Sequence, residues 1–293
     1  VSQDAKAQEP WTIRRVLDWT KGHFEKQQIE SARLTAELLL AHVLATTRVK
    51  LFMDLDRPLT KDELATYRAL IQRRLAYEPT QYLVGHKEFY GRRFAVDRRV
   101  LIPRSETELL VEGALQLVPK DSPARVLDLC TGSGCVAISI AAERPLASVW
   151  ATDRSSDALA VAKGNAEALG VSGRVTFFEG DLLAPLPADA RFDVIVSNPP
   201  YIPTGQLAGL QQEVQHEPKL ALDGGADGLA VIRPLVAAAL PRLKPGGWLA
   251  LEIAEDQGAP VKALLDAAGA VDTRIEKDLA RHDRLVFGRA RTS

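Results

Sequence analysis

From residue 106 onward, short runs of Val, Ile, Leu and Phe alternate with longer helical stretches, and this alternation constrains the fold more than any other property of the chain. The pattern predicts strands at 125–129, 148–152, 175–178, 192–196 and 248–253. Helices are expected at 106–117, 136–143, 156–169, 229–243 and 259–268. Apolar strands separated by helices form a parallel sheet covered on both faces, so the class is α/β and doubly wound. Further strands near 271–276 and 284–288, joined by a short loop, predict an antiparallel edge.

The preceding sequence follows another period. No strand pattern occurs before residue 86, and the stretch Arg33 to Ala45 is rich in Leu and Ala with no Gly or Pro. Thr60 and Glu63 have capping-box spacing, and Leu64, Tyr67, Ile71 and Leu75 then form an apolar stripe. Pro79 is expected to end that helix. Residues 1–85 are read as a helical domain of about four or five helices. Residues 86–105 carry Phe89, Phe94, Val96, Val100 and Ile102 around Gly91 and Asp97-Arg98, the signature of a β-hairpin linker. Residues 86–104 hold six Lys/Arg against two Asp/Glu, which fits either a solvated linker or a surface for an anionic partner. Residues 106–293 form the α/β domain.

Composition narrows the function classes. Net charge is −1 across 293 residues, so no global field draws the chain to nucleic acid or to an acidic membrane. Cys130 and Cys135 are the only cysteines, which argues against a disulfide scaffold and for a reducing, cytoplasmic setting. With five scattered histidines they show no zinc spacing, and no metal is expected. No apolar run approaches the ~20 residues of a membrane span. Residues 1–9 are polar, lack signal-peptide order and are expected to be poorly ordered.

Two stretches carry chemistry. The first is Asp128-Leu129-Cys130-Thr131-Gly132-Ser133-Gly134, after the first strand of the sheet and opening a helix. Its glycines permit a tight turn and close approach of a ligand to the backbone. Asp153 ends the next strand, where a carboxylate can accept both hydroxyls of a ribose. Gly132-x-Gly134-x-x-Ala137 with Asp153 also satisfies the dinucleotide fingerprint of a dehydrogenase. Asp128 tilts the balance, because a carboxylate is a poor neighbour for pyrophosphate and a good one for an ammonium group. Asp181, after the third strand, adds another acid.

The second stretch is Asn198-Pro199-Pro200-Tyr201, at the end of the fourth strand. In an open parallel sheet it faces the same crevice as Gly132 and Asp153. A planar nitrogen is a weak nucleophile because its lone pair is delocalised. Asn198 can accept from one N–H of such a group through its side-chain oxygen, and the Pro199 carbonyl can accept from the other. Prolines fix that carbonyl in advance. Tyr201 supplies a flat face. A sulfonium methyl nearby would be attacked in line, charge moving from sulfur to nitrogen and the surplus proton leaving afterwards.

At these residues the chain resembles the S-adenosylmethionine-dependent methyltransferases, and more narrowly the HemK-type glutamine methyltransferases of peptide chain release factors. The likeness extends over residues 32–44, 79–112, 213–229 and 277–289 as well as the Asn198–Tyr201 motif. It implies a seven-stranded Rossmann-like methyltransferase sheet, last strand antiparallel, behind a helical domain that helps to dock the protein substrate. It implies that Asp128, Cys130, Thr131, Gly132, Ser133, Gly134, Asp153, Asp181, Leu182 and Asn198 line the cofactor pocket. Asn198, Pro199, Pro200 and Tyr201 would hold the glutamine of a Gly-Gly-Gln loop, with Asn198, Pro199 and Tyr201 catalytic. The implied partner is a release factor, with no nucleic-acid substrate, no membrane and a monomeric enzyme. Cys130 stands where many members have glycine, Ser105 where proline is usual, and Leu182 where some carry an aromatic ring. "DLCTGSGC" and "PRSE" resemble a sister family that methylates a glutamine of a large-subunit ribosomal protein, and adenine methyltransferases share the short Asn-Pro-Pro-Tyr match.

Overall fold

A computed structural model describes residues 10–292, so the expectation for residues 1–9 lies outside the described residues. The chain divides into two compact units, residues 1–85 and 86–293.

The first unit is helical: α1 (Ile13–Lys26), α2 (Ala32–Val43), α3 (Arg48–Met53), α4 (Lys61–Leu75) and α5 (Thr80–Val84). The capping box that opens α4 is complete, with Thr60 N donating to Glu63 Oε2 at 2.8 Å and Glu63 N donating to Thr60 Oγ1 at 3.2 Å. Tyr67 and Ile71 of the apolar stripe are buried, Leu64 and Leu75 partly so. Pro79 does not end this helix. α4 stops at Leu75, Tyr77 turns left-handed at φ 62°, and Pro79 opens α5. Its fixed φ suits a helix start, where no N–H is needed.

The second unit begins with a hairpin, β1 (His86–Phe89) and β2 (Arg92–Ala95), turned by Tyr90 and Gly91. Both turn residues have positive φ, the geometry that matches the twist of paired strands. Phe89 and Phe94 are 1% and 0% exposed and join the core of this unit. Such burial contributes about 1.5–3 kcal/mol per ring.

The remaining elements are α6 (Glu108–Leu117), β3 (Ala124–Leu129), α7 (Cys135–Glu143), β4 (Ala147–Asp153), α8 (Ser156–Ala168), β5 (Val175–Glu179), β6 (Phe192–Ser197), α9 (Ile232–Ala239), β7 (Leu243–Glu252), α10 (Gly258–Ala267), β8 (Val271–Lys277) and β9 (Asp283–Arg289). The sheet has seven strands in the order β5-β4-β3-β6-β7-β9-β8. β3 to β7 run parallel, and β9 lies antiparallel between β7 and β8. This is the expected doubly wound α/β sheet. Alternate residues feed two cores: Val126 and Val149 face α6 and α7, whereas Leu127, Leu129 and Ile195 face α9 and α10.

Two expected elements differ. The helix expected at 229–243 is shortened to α9 and ends in a 3-10 turn, Leu240–Arg242. Pro241 has no N–H to continue the α-helical ladder. The strand expected at 248–253 is longer, because β7 starts at Leu243 and Lys244 to Gly247 bulge from it. Among the described residues no helix is long and apolar enough to cross a membrane.

Candidate active site

The strand order reverses between β3 and β6, since the chain leaves β3 toward β4 and leaves β6 toward β7. A crevice opens at the carboxyl ends of strands at such a point. A cleft of about 230 Å³ lies there, and its wall includes Asp128, Cys130, Thr131, Gly132, Ser133, Asp153, Asp181, Leu182, Asn198 and Pro200.

Asp128 shares the pleat face of Val126, so its carboxylate lies under the first turn of α7. It is 1% exposed, and its Oδ2 accepts from Thr131 Oγ1 at 2.6 Å and from Ala137 N at 3.2 Å. Both bonds land on one oxygen. Burial pushes this carboxyl up to about 7, and these bonds only partly offset it. Asp153 Oδ2 accepts from Gly132 N at 2.8 Å and Oδ1 from Ser155 N at 2.9 Å, which pins the glycine turn to β4. Its pKa is also raised, by burial first.

The turn itself is left-handed at Cys130, Gly132 and Gly134, with φ of 60°, 55° and 79°. The glycines differ in function. A Cβ on Gly132 would meet nothing within 4 Å, so its backbone faces open space. A Cβ on Gly134 would come within 2.8 Å of Ile138 and 3.1 Å of Ala162. Gly134 therefore lies behind the cleft wall and lets α7 approach α8. Cys130 occupies a backbone conformation that favours glycine. Burial raises its thiol to about 12, so it stays protonated.

Asn198 follows β6, half-buried, and its Nδ2 donates to Thr107 Oγ1 at 3.1 Å. Pro200 lines the cleft, whereas Pro199 is buried and Tyr201 is half-buried against the α9–α10 core, so neither belongs to the wall. The Tyr201 backbone is clamped, with Gln257 Nε2 donating to its carbonyl at 3.0 Å. A Cβ on Gly224 would sit 2.8 Å from Tyr201 Cα, so this position can lie across the motif only as glycine. Asp181 is exposed and faces Arg154 at 3.6 Å.

Comparison with known proteins decides the family. A family model described as the PrmC N-terminal domain matches residues 15–85, and one described as the methyltransferase small domain matches residues 105–278. A Geobacter sulfurreducens protein named release factor glutamine methyltransferase is 48% identical over 282 residues, covering 96% of this chain and 98% of that relative. Relatives of the same name from Chlorobaculum tepidum and Caulobacter vibrioides are 45% and 42% identical, each covering 94% of this chain and 96% of the relative. The chain belongs to the release factor glutamine methyltransferase family. Among solved structures, the hMettl16 catalytic domain bound to a 3'UTR hairpin has a TM-score of 0.56 at 17% identity, covering 67% of this chain and 74% of that one. That likeness shows the fold. Membership makes the chain a methyltransferase, and family and fold together imply S-adenosylmethionine as donor.

Several residues that shape the site of this family member have no signature in the sequence. Thr107 holds the Asn198 amide. Asn165 on α8, 2% exposed, accepts from Ala95 N at 2.8 Å and donates to Ser133 O at 2.9 Å, which joins the hairpin to the glycine turn. Glu217 is 5% exposed and accepts from Ile102 N at 2.9 Å and Arg104 Nη2 at 2.5 Å. These are contacts between distant segments, and only a buried acid or amide in an otherwise ordinary stretch could have flagged them.

Proposed function

We propose that this chain transfers the methyl group of S-adenosylmethionine to the side-chain amide nitrogen of the glutamine in the Gly-Gly-Gln loop of peptide chain release factors. The observation that carries this reading is the convergence on one cleft of Asp128, Gly132 and Asp153 with Asn198. The names of relatives spanning nearly the whole chain support it.

The residues present fit the donor. Gly132 leaves its backbone open to a ligand. Asp128 is a buried carboxylate whose second oxygen receives neither of its two hydrogen bonds, and an ammonium group would supply the missing counter-charge. Asp153 retains lone pairs for ribose hydroxyls beyond those used by Gly132 and Ser155. Cys130, Thr131, Ser133, Asp181 and Leu182 complete that side of the wall. When bound, the donor supplies an electrophilic methyl on a cationic sulfur.

The chain's own work is to prepare the acceptor. Asn198 Oδ1 would take one N–H of the substrate amide, and the Pro199 carbonyl would take the other only if the substrate reaches beyond the cleft wall that Asn198 and Pro200 form. Together they pull the nitrogen toward tetrahedral geometry and free its lone pair. Tyr201 lies outside the wall, so contact of its ring with the amide plane requires the substrate loop to reach past Pro200. Residues 1–85 would dock the release factor, and α3 offers the exposed side chains Val49, Phe52 and Met53 for that purpose. The enzyme would act as a monomer in the cytoplasm, where translation runs.

Labelled S-adenosylmethionine tests the reading with a release factor, ribosomal subunits and DNA as separate acceptors. Label on the release-factor glutamine supports it. Label on ribosomal protein or DNA alone overturns it.

A further inference from the structure

We infer that Asn165 is a positioning residue for the methyl donor: it ties together two stretches of the cleft wall without belonging to the wall itself. The inference rests on the methyl-transfer reading above and names a residue on which donor affinity depends.

Asn165 lies near the end of α8 and is 2% exposed. Its helix neighbours Ala162 and Ala166 are fully buried, so this part of α8 is packed closely. An amide buried there costs free energy unless its polar atoms are bonded, and asparagine is a poorer helix former than alanine. Packing alone does not call for it.

Its hydrogen bonds do. Oδ1 accepts from Ala95 N at 2.8 Å, and Nδ2 donates to Ala95 O at 3.1 Å and to Ser133 O at 2.9 Å. Both amide hydrogens are used. The orientation is forced by the partners, because two are carbonyls that only accept and the third is an N–H that only donates. A flipped amide would set oxygen against oxygen and N–H against N–H.

The two ends of this bridge lead into the cleft. Ser133 belongs to the glycine turn and lines the wall. Ala95 ends β2, and the chain runs on through the buried Val96 to Arg99, Val100 and Leu101, which also line it. Asp97 stiffens the intervening turn: its carboxylate accepts from Arg99 N at 3.0 Å and its carbonyl from Val100 N at 3.1 Å. A shift at Ala95 is therefore passed on to the wall. Neither Ala95 nor Asn165 is among the described residues that line the cleft. Asp153, by contrast, both holds the turn through Gly132 N and faces the cleft. Without the Asn165 bridge the donor would have to order the two stretches as it binds, which lowers its affinity. Once it is bound, the transfer step should proceed much as before.

The test combines calorimetry of S-adenosylmethionine binding with kcat and KM of the full chain on a release factor. A wild type that neither binds the donor nor labels the glutamine refutes the methyl-transfer reading itself. With an active wild type, Asn165→Asp keeps the side-chain size and the bond from Ala95 N but turns an oxygen toward both carbonyls. Its Kd and KM for the donor should rise roughly tenfold or more, with kcat at saturating donor within about threefold. Leu265→Ala, a core truncation on α10 outside the cleft wall, loses stability by another route and should keep the donor Kd within about twofold. Wild-type donor affinity in Asn165→Asp, an equal loss of affinity in Leu265→Ala, or a kcat that falls as far as the affinity would overturn the inference. If Asn165→Asp fails to fold, exchange of the Ala95 amide hydrogen in the wild type, followed by NMR, carries the test. That N–H is held by Asn165 outside the wall, so added donor should slow its exchange several-fold. Unchanged exchange would overturn the inference.

Discussion

Arg104 and Glu217 meet at 2.5 Å, joining the segment after the hairpin to the loop that follows the Asn-Pro-Pro-Tyr motif. The second oxygen of Glu217 takes the Ile102 N–H at 2.9 Å, so one buried side chain holds both a charge and a backbone donor. Both segments line the cleft, through Arg104 on one side and Pro218 and Leu220 on the other.

Removing this acid should loosen the cleft wall. Glu217→Ala leaves the Ile102 N–H and part of a guanidinium without a partner, which should cost about 1–3 kcal/mol in urea unfolding. Glu217→Gln keeps one acceptor oxygen and should cost less. Equal stability of Glu217→Ala and wild type would show that the clamp contributes nothing.

The glycines of the turn should separate stability from binding. Gly134→Ala forces a Cβ to 2.8 Å from Ile138 at φ 79° and should lower the melting temperature sharply. Gly132→Ala meets nothing within 4 Å, so its stability cost should be limited to backbone strain of about 1 kcal/mol. Its added methyl projects into the open space of the cleft, and S-adenosylmethionine affinity measured by calorimetry should fall. Gly134→Ala that melts like the wild type would contradict the packing role.

The buried acids give a pH dependence with a defined sign. Burial raises Asp128 and Glu252 to about 7, above their values in the unfolded chain. A raised carboxyl adds no penalty below its unfolded pKa, a growing one up to its folded pKa, and the full penalty above that. The cofactor-free protein should therefore lose melting temperature between about pH 4 and about pH 7, and Asp128→Asn should lose less. Cofactor affinity should rise with pH toward about 7 as Asp128 becomes the anion that an ammonium group prefers. A variant whose melting temperature falls as steeply as the wild type would remove Asp128 from this account.

What could be read from the sequence depended on whether a constraint is local. The strand–helix alternation, the capping box at Thr60, the left-handed turn at Gly132 and the proline stop after Asn198 all arise within a few residues, and each leaves its residue type at its position. The end of α4 was misplaced because Tyr77 adopts a left-handed conformation that its residue type does not announce. Thr107, Asn165 and Glu217 were illegible for another reason. Their meaning lies in partners on other elements, such as the 91 positions between Thr107 and Asn198. Pro199 and Tyr201 show the limit of a motif: consecutive residues in a line of sequence need not share a cavity wall.

The most direct measurement is methyl transfer by Asn198→Ala to a release factor, read by mass spectrometry of the Gly-Gly-Gln peptide alongside calorimetry of S-adenosylmethionine binding. The account predicts one added methyl on the glutamine with the wild type and none with Asn198→Ala, while that variant still binds the donor and Asp153→Ala does not. Wild-type methylation by Asn198→Ala would contradict it.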